Sequence, residues 1–167
     1  MPALRCTHKL LAQLGVRHPP AIEDEGDDWQ ANLIWVERKK LVLFCSTSTL
    51  FCCVTPPVTK SEMQALNRIF LLALHHTLQH EGFPDDDIAH CCSMYQSMPI
   101  AKTNDRSILG TMNNYTFHLK HWVDRYGGLA KCDLGRVMRH LNEMPQIKRD
   151  FYNSLEAFKR SLIRGTA

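Results

Sequence analysis

The chain lacks any apolar run longer than the six residues Ile69 to Leu74, about one and a half helical turns. A bilayer-spanning helix needs roughly 18 or more such residues, so no membrane partner is expected. The opening segment MPALRCTHKLL lacks a long apolar core followed by a small-residue cleavage site, so no secretory leader is expected there. No two cysteines stand in a C-x2-C pair, so zinc ribbons and thioredoxin-type redox sites have no support. There is no G-x-S-x-G elbow for a nucleophilic serine, and no glycine-rich turn ending in Gly-Lys-Ser/Thr to cradle a phosphate. One-signed charge is scarce too: the net value is only +3, too little for a strongly electrostatic nucleic-acid binder.

What is present fits a globular chain. With 167 residues, 44% hydrophobic and 22% charged, the composition predicts one compact domain over 1–167. Seven cysteines are abundant for this size: Cys6, Cys45, Cys52, Cys53, Cys91, Cys92 and Cys132. Their number is odd, and Cys45, Cys52 and Cys53 lie among Leu, Phe and Val, where cysteine acts as a small apolar filler. They read as reduced, mostly buried thiols of a cytoplasmic protein. Cys6, beside Arg5, His8 and Lys9, is the one thiol in electropositive surroundings.

Periodicity and turn residues predict an α+β fold. Thr7 caps a short helix to Leu14, stopped by Gly15. RHPPAIEDEGDD (Arg17 to Asp28) reads as an exposed acidic loop. Three β-rich runs follow, Trp29 to Glu37, Leu41 to Ser46 and Leu50 to Thr55, as a small antiparallel β-meander. A long helix over 61–82, apolar around most of its circumference, is expected to pack across the sheet as the central helix. A helical C-terminal half completes the chain: an acidic helix after Pro84, a long one from about Ser107 to Tyr126 capped by Asp105 or Thr103, then Asp133 to Asn142 and Lys148 to Ile163. Strands precede helices, so helices are expected on one face of the sheet.

The densest polar block is KTNDRSILGTMNN, Lys102 to Asn114, at a predicted helix start. Free N–H groups and the positive end of the helix dipole favour an anion there, and Lys102 and Arg106 add charge-assisted donors. Gly110 leaves a notch beside Asn113 and Asn114 for a close backbone or ligand approach. His76 and His80, four apart on the central helix, have the spacing of a metal-ligating pair, with His90 and Cys91 or Cys92 as further ligands. No glutamate stands between them to act as a base, so structural histidines are the favoured reading and no metal or cofactor is expected; His118 and His121 are read the same way. Asp85, Asp86 and Asp87 read as a helix cap rather than paired catalytic acids. From His118 onward there are ten Lys/Arg against five Asp/Glu, and before it ten against twelve. Arg136, Arg139, Lys148, Arg149, Lys159, Arg160 and Arg164 therefore offer a basic helical surface, by default a solvated one.

Five segments carry a family resemblance: RCTHKLLAQLG, WQANLIWVERKKLVLF, STLF, TNDRSILGTMNN and YGGL, in this order between Arg5 and Leu129. With RSxxGTMN as the specific element, the chain resembles a family of small, mostly bacterial proteins whose shared domain is one of unknown function. The resemblance implies no activity, cofactor or substrate. It places Trp29, Ala31, Asn32, Arg38, Thr49, Asn104, Arg106, Ser107, Gly110, Met112 and Asn113 at motif positions. Family turns carry two arginines where this chain has Arg38 and Lys39, and lysine lacks the planar fork for bidentate recognition. The leading expectation is a binding or accessory module that holds an anionic small molecule around Asn32, Arg38, Asn104, Arg106, Ser107 and Asn113. That set supplies donors and cations but no convincing general base, which favours binding over catalysis. The alternatives are an enzyme acting on a phosphorylated or nucleotide substrate, with Arg106 stabilising developing charge, and a nucleic-acid-associated protein using the basic C-terminal helices.

Overall fold

The computed structural model describes residues 1–165, so the last two positions of the expected 1–167 domain lie outside the described residues. Strands β1 (Leu4–Cys6), β2 (Trp29–Val36), β3 (Lys39–Ser46), β4 (Cys52–Val54) and β5 (Ile100–Lys102) form one sheet in the order β4-β3-β2-β1-β5. Among the described residues, seven helices surround it: α1 (His8–Leu14), α2 (Lys60–Met63), α3 (Leu66–His80), α4 (Asp85–Met94), α5 (Arg106–Arg125), α6 (Leu134–Asn142) and α7 (Ser154–Gly165). The fold is α+β with a helical C-terminal half. No helix among them is long and apolar enough to cross a membrane.

The expected meander is the antiparallel part, β2–β3–β4. Its first turn is tight: Glu37 and Arg38 take left-handed φ values of 51° and 64°, the geometry that matches the twist of paired strands. Strands β1 and β5 were not foreseen. Each has three residues, too few for a period-2 signal, and β1 lies between β2 and β5, parallel to both.

Helices cover both faces of the sheet, not one. Because side chains alternate along a strand, β2 sends Trp29, Ala31 and Leu33 into one apolar cluster and Ile34 and Val36 into another. The first cluster is closed by Leu10 and Leu11 of α1, Phe70 and Leu74 of α3, Ile88 and Cys91 of α4 and Phe158 of α7. Fully buried Trp29 sits at its centre, with ring centroids 4.9 Å from Phe70 and 5.7 Å from Tyr95. The second is closed by Ile108, Met112, Tyr115, Leu119 and Val123 of α5 and by Val137, Met138 and Leu141 of α6.

Two helix boundaries depart from the sequence reading. The helix expected over 61–82 is broken: α2 opens on a Thr59–Glu62 capping box, and Ala65, at ψ 53°, separates it from α3. Neither glycine nor proline marks that break. The last helix begins at Ser154 rather than Lys148, because Gln146 N–H bonds the Tyr152 carbonyl (2.8 Å) and holds the intervening chain as a loop.

Two buried polar side chains lock the second cluster to the sheet. Asn142 donates to the Cys52 carbonyl (2.9 Å) and accepts from the Cys52 N–H (2.8 Å), so it completes the outer edge of β4. The Tyr115 hydroxyl donates to the Leu50 carbonyl (2.9 Å) and meets Ser154 Oγ at 3.0 Å and Gln146 Nε2 at 3.0 Å. Asn142→Ala would strand a buried N–H and a buried C=O. It is expected to cost roughly 2–4 kcal/mol in urea unfolding, at unchanged m-value.

Candidate functional site

Strand β1 leads through Thr7 into α1, and strand β5 leads through 103–105 into α5. The two strands are parallel neighbours, yet α1 packs in the first apolar cluster and α5 in the second. Chain connections that leave adjacent parallel strands toward opposite faces open a crevice outside the strands' carboxyl ends, the usual ligand position in sheets of this kind. A cleft of about 1270 Å³ lies there. Arg5, Lys102, Thr103 and Asn104 form its strand-end wall. The flank of α1 and the following loop, through Val16, Pro19 and Ile22, form the other, with His8, Arg17, His18 and Glu23 also lining it.

The cleft is shaped by a buried ion pair. Arg5 is 3% exposed and Asp28 0%. Arg5 Nε lies 2.5 Å from one Asp28 carboxylate oxygen, and the other accepts the Ala3 N–H at 2.8 Å. The guanidinium then donates to the Ile22 carbonyl (2.7 Å), and its third nitrogen stands 3.4 Å from the Lys102 carbonyl. One side chain thus ties the acidic loop to the end of β5. The loop was expected to be wholly exposed; its last residue, Asp28, is instead the buried partner that holds it down.

Around the strand ends a polar network replaces apolar packing. Thr103 Oγ1 donates to fully buried Gln30 Oε1 (2.8 Å), and Thr7 Oγ1 donates to Asn32 Oδ1 (2.8 Å). Thr7 therefore spends its hydroxyl on β2 and makes no side-chain bond to the start of α1. The six residues expected to form the site are divided. Asn104 lines the cleft, and Arg106 and Ser107 stand exposed at the start of α5. Asn32 is buried under Thr7. Arg38 sits at the hairpin tip, six residues along β2 from Asn32, about 20 Å at strand rise. Asn113 is exposed farther along α5 and does not line the cleft. The helix-start seat itself is occupied by the chain's own anion: Asp105 Oδ1 accepts from Ser107 N–H (2.9 Å) and Ile108 N–H (3.2 Å). The polar block in the sequence singles out Lys102 but not Arg17, whose only signal is its place two residues before a pair of prolines.

A model of the family described as a domain of unknown function, DUF6933, matches residues 3–157. The chain belongs to that family. No curated protein matches it.

Within this DUF6933 chain, several of the segments that carry the resemblance make contacts between distant parts of the chain. In YGGL, a Cβ on Gly128, at φ +99°, would stand 2.8 Å from Glu37 Oε1, while Glu37 Oε2 accepts the Leu129 N–H at 2.9 Å. That bond anchors the hairpin turn. In STLF, Leu50 adopts φ 60° and presents its carbonyl to Tyr115. Gly110 differs: a Cβ there would meet nothing within 4 Å, so no backbone approaches the expected notch.

The remaining candidates make local contacts of their own. His76 and His80 both face Asp133, at 3.8 and 3.3 Å, and His80 also packs on Gly135, whose Cβ would lie 2.7 Å from the ring. His90 is on α4, and no metal-holding group of three His, Cys, Asp or Glu occurs among the described residues. Cys6, despite its cationic neighbours, is fully buried, and burial pushes its thiol up to about 12, which makes it unreactive. The basic C-terminal residues are spread over α6, a loop and α7, and several have local partners: Arg139 bonds the His80 carbonyl (2.9 Å), Arg136 stacks on Tyr126, Lys159 lies over Phe83, and Arg160 pairs with Glu156.

Two substitutions test these contacts. Asp28→Ala leaves the Arg5 charge buried alone and is expected to cost about 3–5 kcal/mol, whereas the double change Arg5→Met, Asp28→Leu costs less than Asp28→Ala by itself. Gly110→Ala, in open space inside a helix, should raise stability by roughly 0.5–1 kcal/mol, seen as a higher melting temperature.

Proposed function

We propose that this chain is a non-enzymatic binding module that holds an anionic small molecule in the cleft at the carboxyl ends of β1 and β5. The observation that carries the reading is the crevice itself. Adjacent parallel strands send their chains to opposite faces, and Lys102 and Asn104 meet Arg17, His8 and His18 around the gap. The site moves from the start of α5, where Asp105 supplies the anion, to the strand ends beside it. Arg106 and Ser107 remain as rim groups; Arg38 and Asn113 have no part in it.

Binding is favoured over catalysis on chemical grounds. The hydroxyls nearest the cleft, Thr7 and Thr103, donate to the amides of Asn32 and Gln30 rather than to a base. The one cysteine of the β1–α1 segment is buried and held protonated. In this reading 1–167 is a single domain, because both apolar clusters share one sheet. The cytoplasm is its location, where free Cys45, Cys52, Cys53, Cys91 and Cys92 stay reduced.

Thermal melting with inorganic pyrophosphate tests the proposal. At a hundredfold excess over Kd the folded state gains about 2.7 kcal/mol, a rise of roughly 5 to 10 °C for a chain of this size. The double change Arg17→Ala, Lys102→Ala should abolish the shift and leave the ligand-free melting temperature within about 2 °C, since both side chains are exposed. An equal shift in that variant would place the anion elsewhere.

A further inference from the structure

We infer that the ligand of this cleft is an amphipathic anion, a phosphate or carboxylate head joined to an apolar body, rather than a bare inorganic ion. The inference rests on the anion-binding reading and deepens it. Its first ground is size: about 1270 Å³ is the scale of a cavity that takes a whole organic ligand, far beyond what one phosphate fills. Its second ground is how the lining is divided. The strand-end wall carries the donors Lys102 and Asn104, over the edge of the Arg5 guanidinium, while the Thr103 hydroxyl between them is held by Gln30. The facing wall presents a continuous apolar surface of Leu11, Ala12, Val16, Pro19, Pro20 and Ile22, with His8, Arg17, His18 and Glu23 as its polar members.

That apolar wall is rigid for a loop. Gly15, at φ 72°, ends α1 and turns the chain, two consecutive prolines restrict the backbone, and the Ile22 carbonyl is fixed by Arg5. A wall held in place before binding loses little entropy when a ligand body settles on it, which is the condition for apolar contact to add affinity. A bare anion would use the strand-end donors and leave this surface wet. An anion with an apolar body removes both from water at once.

Calorimetric titration of the full chain with three probes, inorganic phosphate, adenosine monophosphate and octanoate, tests the inference. The expected result is that adenosine monophosphate or octanoate binds at least about tenfold more tightly than phosphate, a gap of about 1.4 kcal/mol. Preference for the first identifies a phosphorylated source and preference for the second an acyl source. Lys102→Ala should weaken every probe about tenfold, as loss of a charge-assisted bond. Ile22→Ser keeps the carbonyl that Arg5 holds, and should weaken the organic probes several-fold while leaving phosphate unchanged. Phosphate binding as tightly as both organic probes would overturn the amphipathic inference and leave the anion site standing. Failure of all three probes would overturn both.

Discussion

The Arg5–Asp28 pair is the constraint on which the rest of the molecule depends. Strand β1 has three residues and lies between two parallel neighbours, so its own ladder is short. Burying a guanidinium there is costly unless it is paired, and here each of its three nitrogens has a partner: the Asp28 carboxylate and Ile22 carbonyl of the acidic loop and the Lys102 carbonyl of β5. Asp28 also accepts the Ala3 N–H, so the same carboxylate fixes where β1 enters the sheet and where β2 begins. With that pair in place, the acidic loop must cross the strand ends, and the cleft follows.

The sheet has two unlike halves on its α5 side. Across one register line the side chains run Cys52, Cys45, Gln30, Arg5 and Ala101, apolar over β4 and β3 and polar over β2 and β1. Helices α5 and α6 seal the apolar half, with Tyr115 and Asn142 bonding backbone that the short edge strand leaves open. Over the polar half Thr7 bonds Asn32, Thr103 bonds Gln30, and the Arg5 guanidinium bonds Asp28 and the carbonyls of Ile22 and Lys102. The crevice lies at the polar end of the sheet, outside β1 and β5.

Much of the architecture was legible along the chain. Gly15 stops α1 as expected, Asp105 caps α5, the three aspartates open α4, and the long β-rich runs pair as a meander. The failures share one cause. Strands β1 and β5, three residues each, carry no periodic signal and exist only because each has a partner distant in sequence. The break at Ala65 and the late start of α7 likewise answer to packing and to a loop hydrogen bond, not to any breaker residue.

The candidate site was legible in part for the same reason. Lys102 and Asn104 belong to a conspicuous polar block, but Arg38 and Asn113, equally conspicuous, lie far from them, while Arg17 and Ile22 came from a loop that read as solvent. Composition and local pattern alone determined an α+β chain with buried thiols, a capped helix at 106 and a polar segment before it, because those depend on neighbours within a few turns. Tertiary structure alone decided that Arg5 and Asp28, 23 positions apart, share a buried bond, and that α1 and α5 leave adjacent strands on opposite sides. Parallel pairing joins segments nearly a hundred residues apart through backbone groups common to every sequence, so the crevice between β1 and β5 has no signature shorter than the fold.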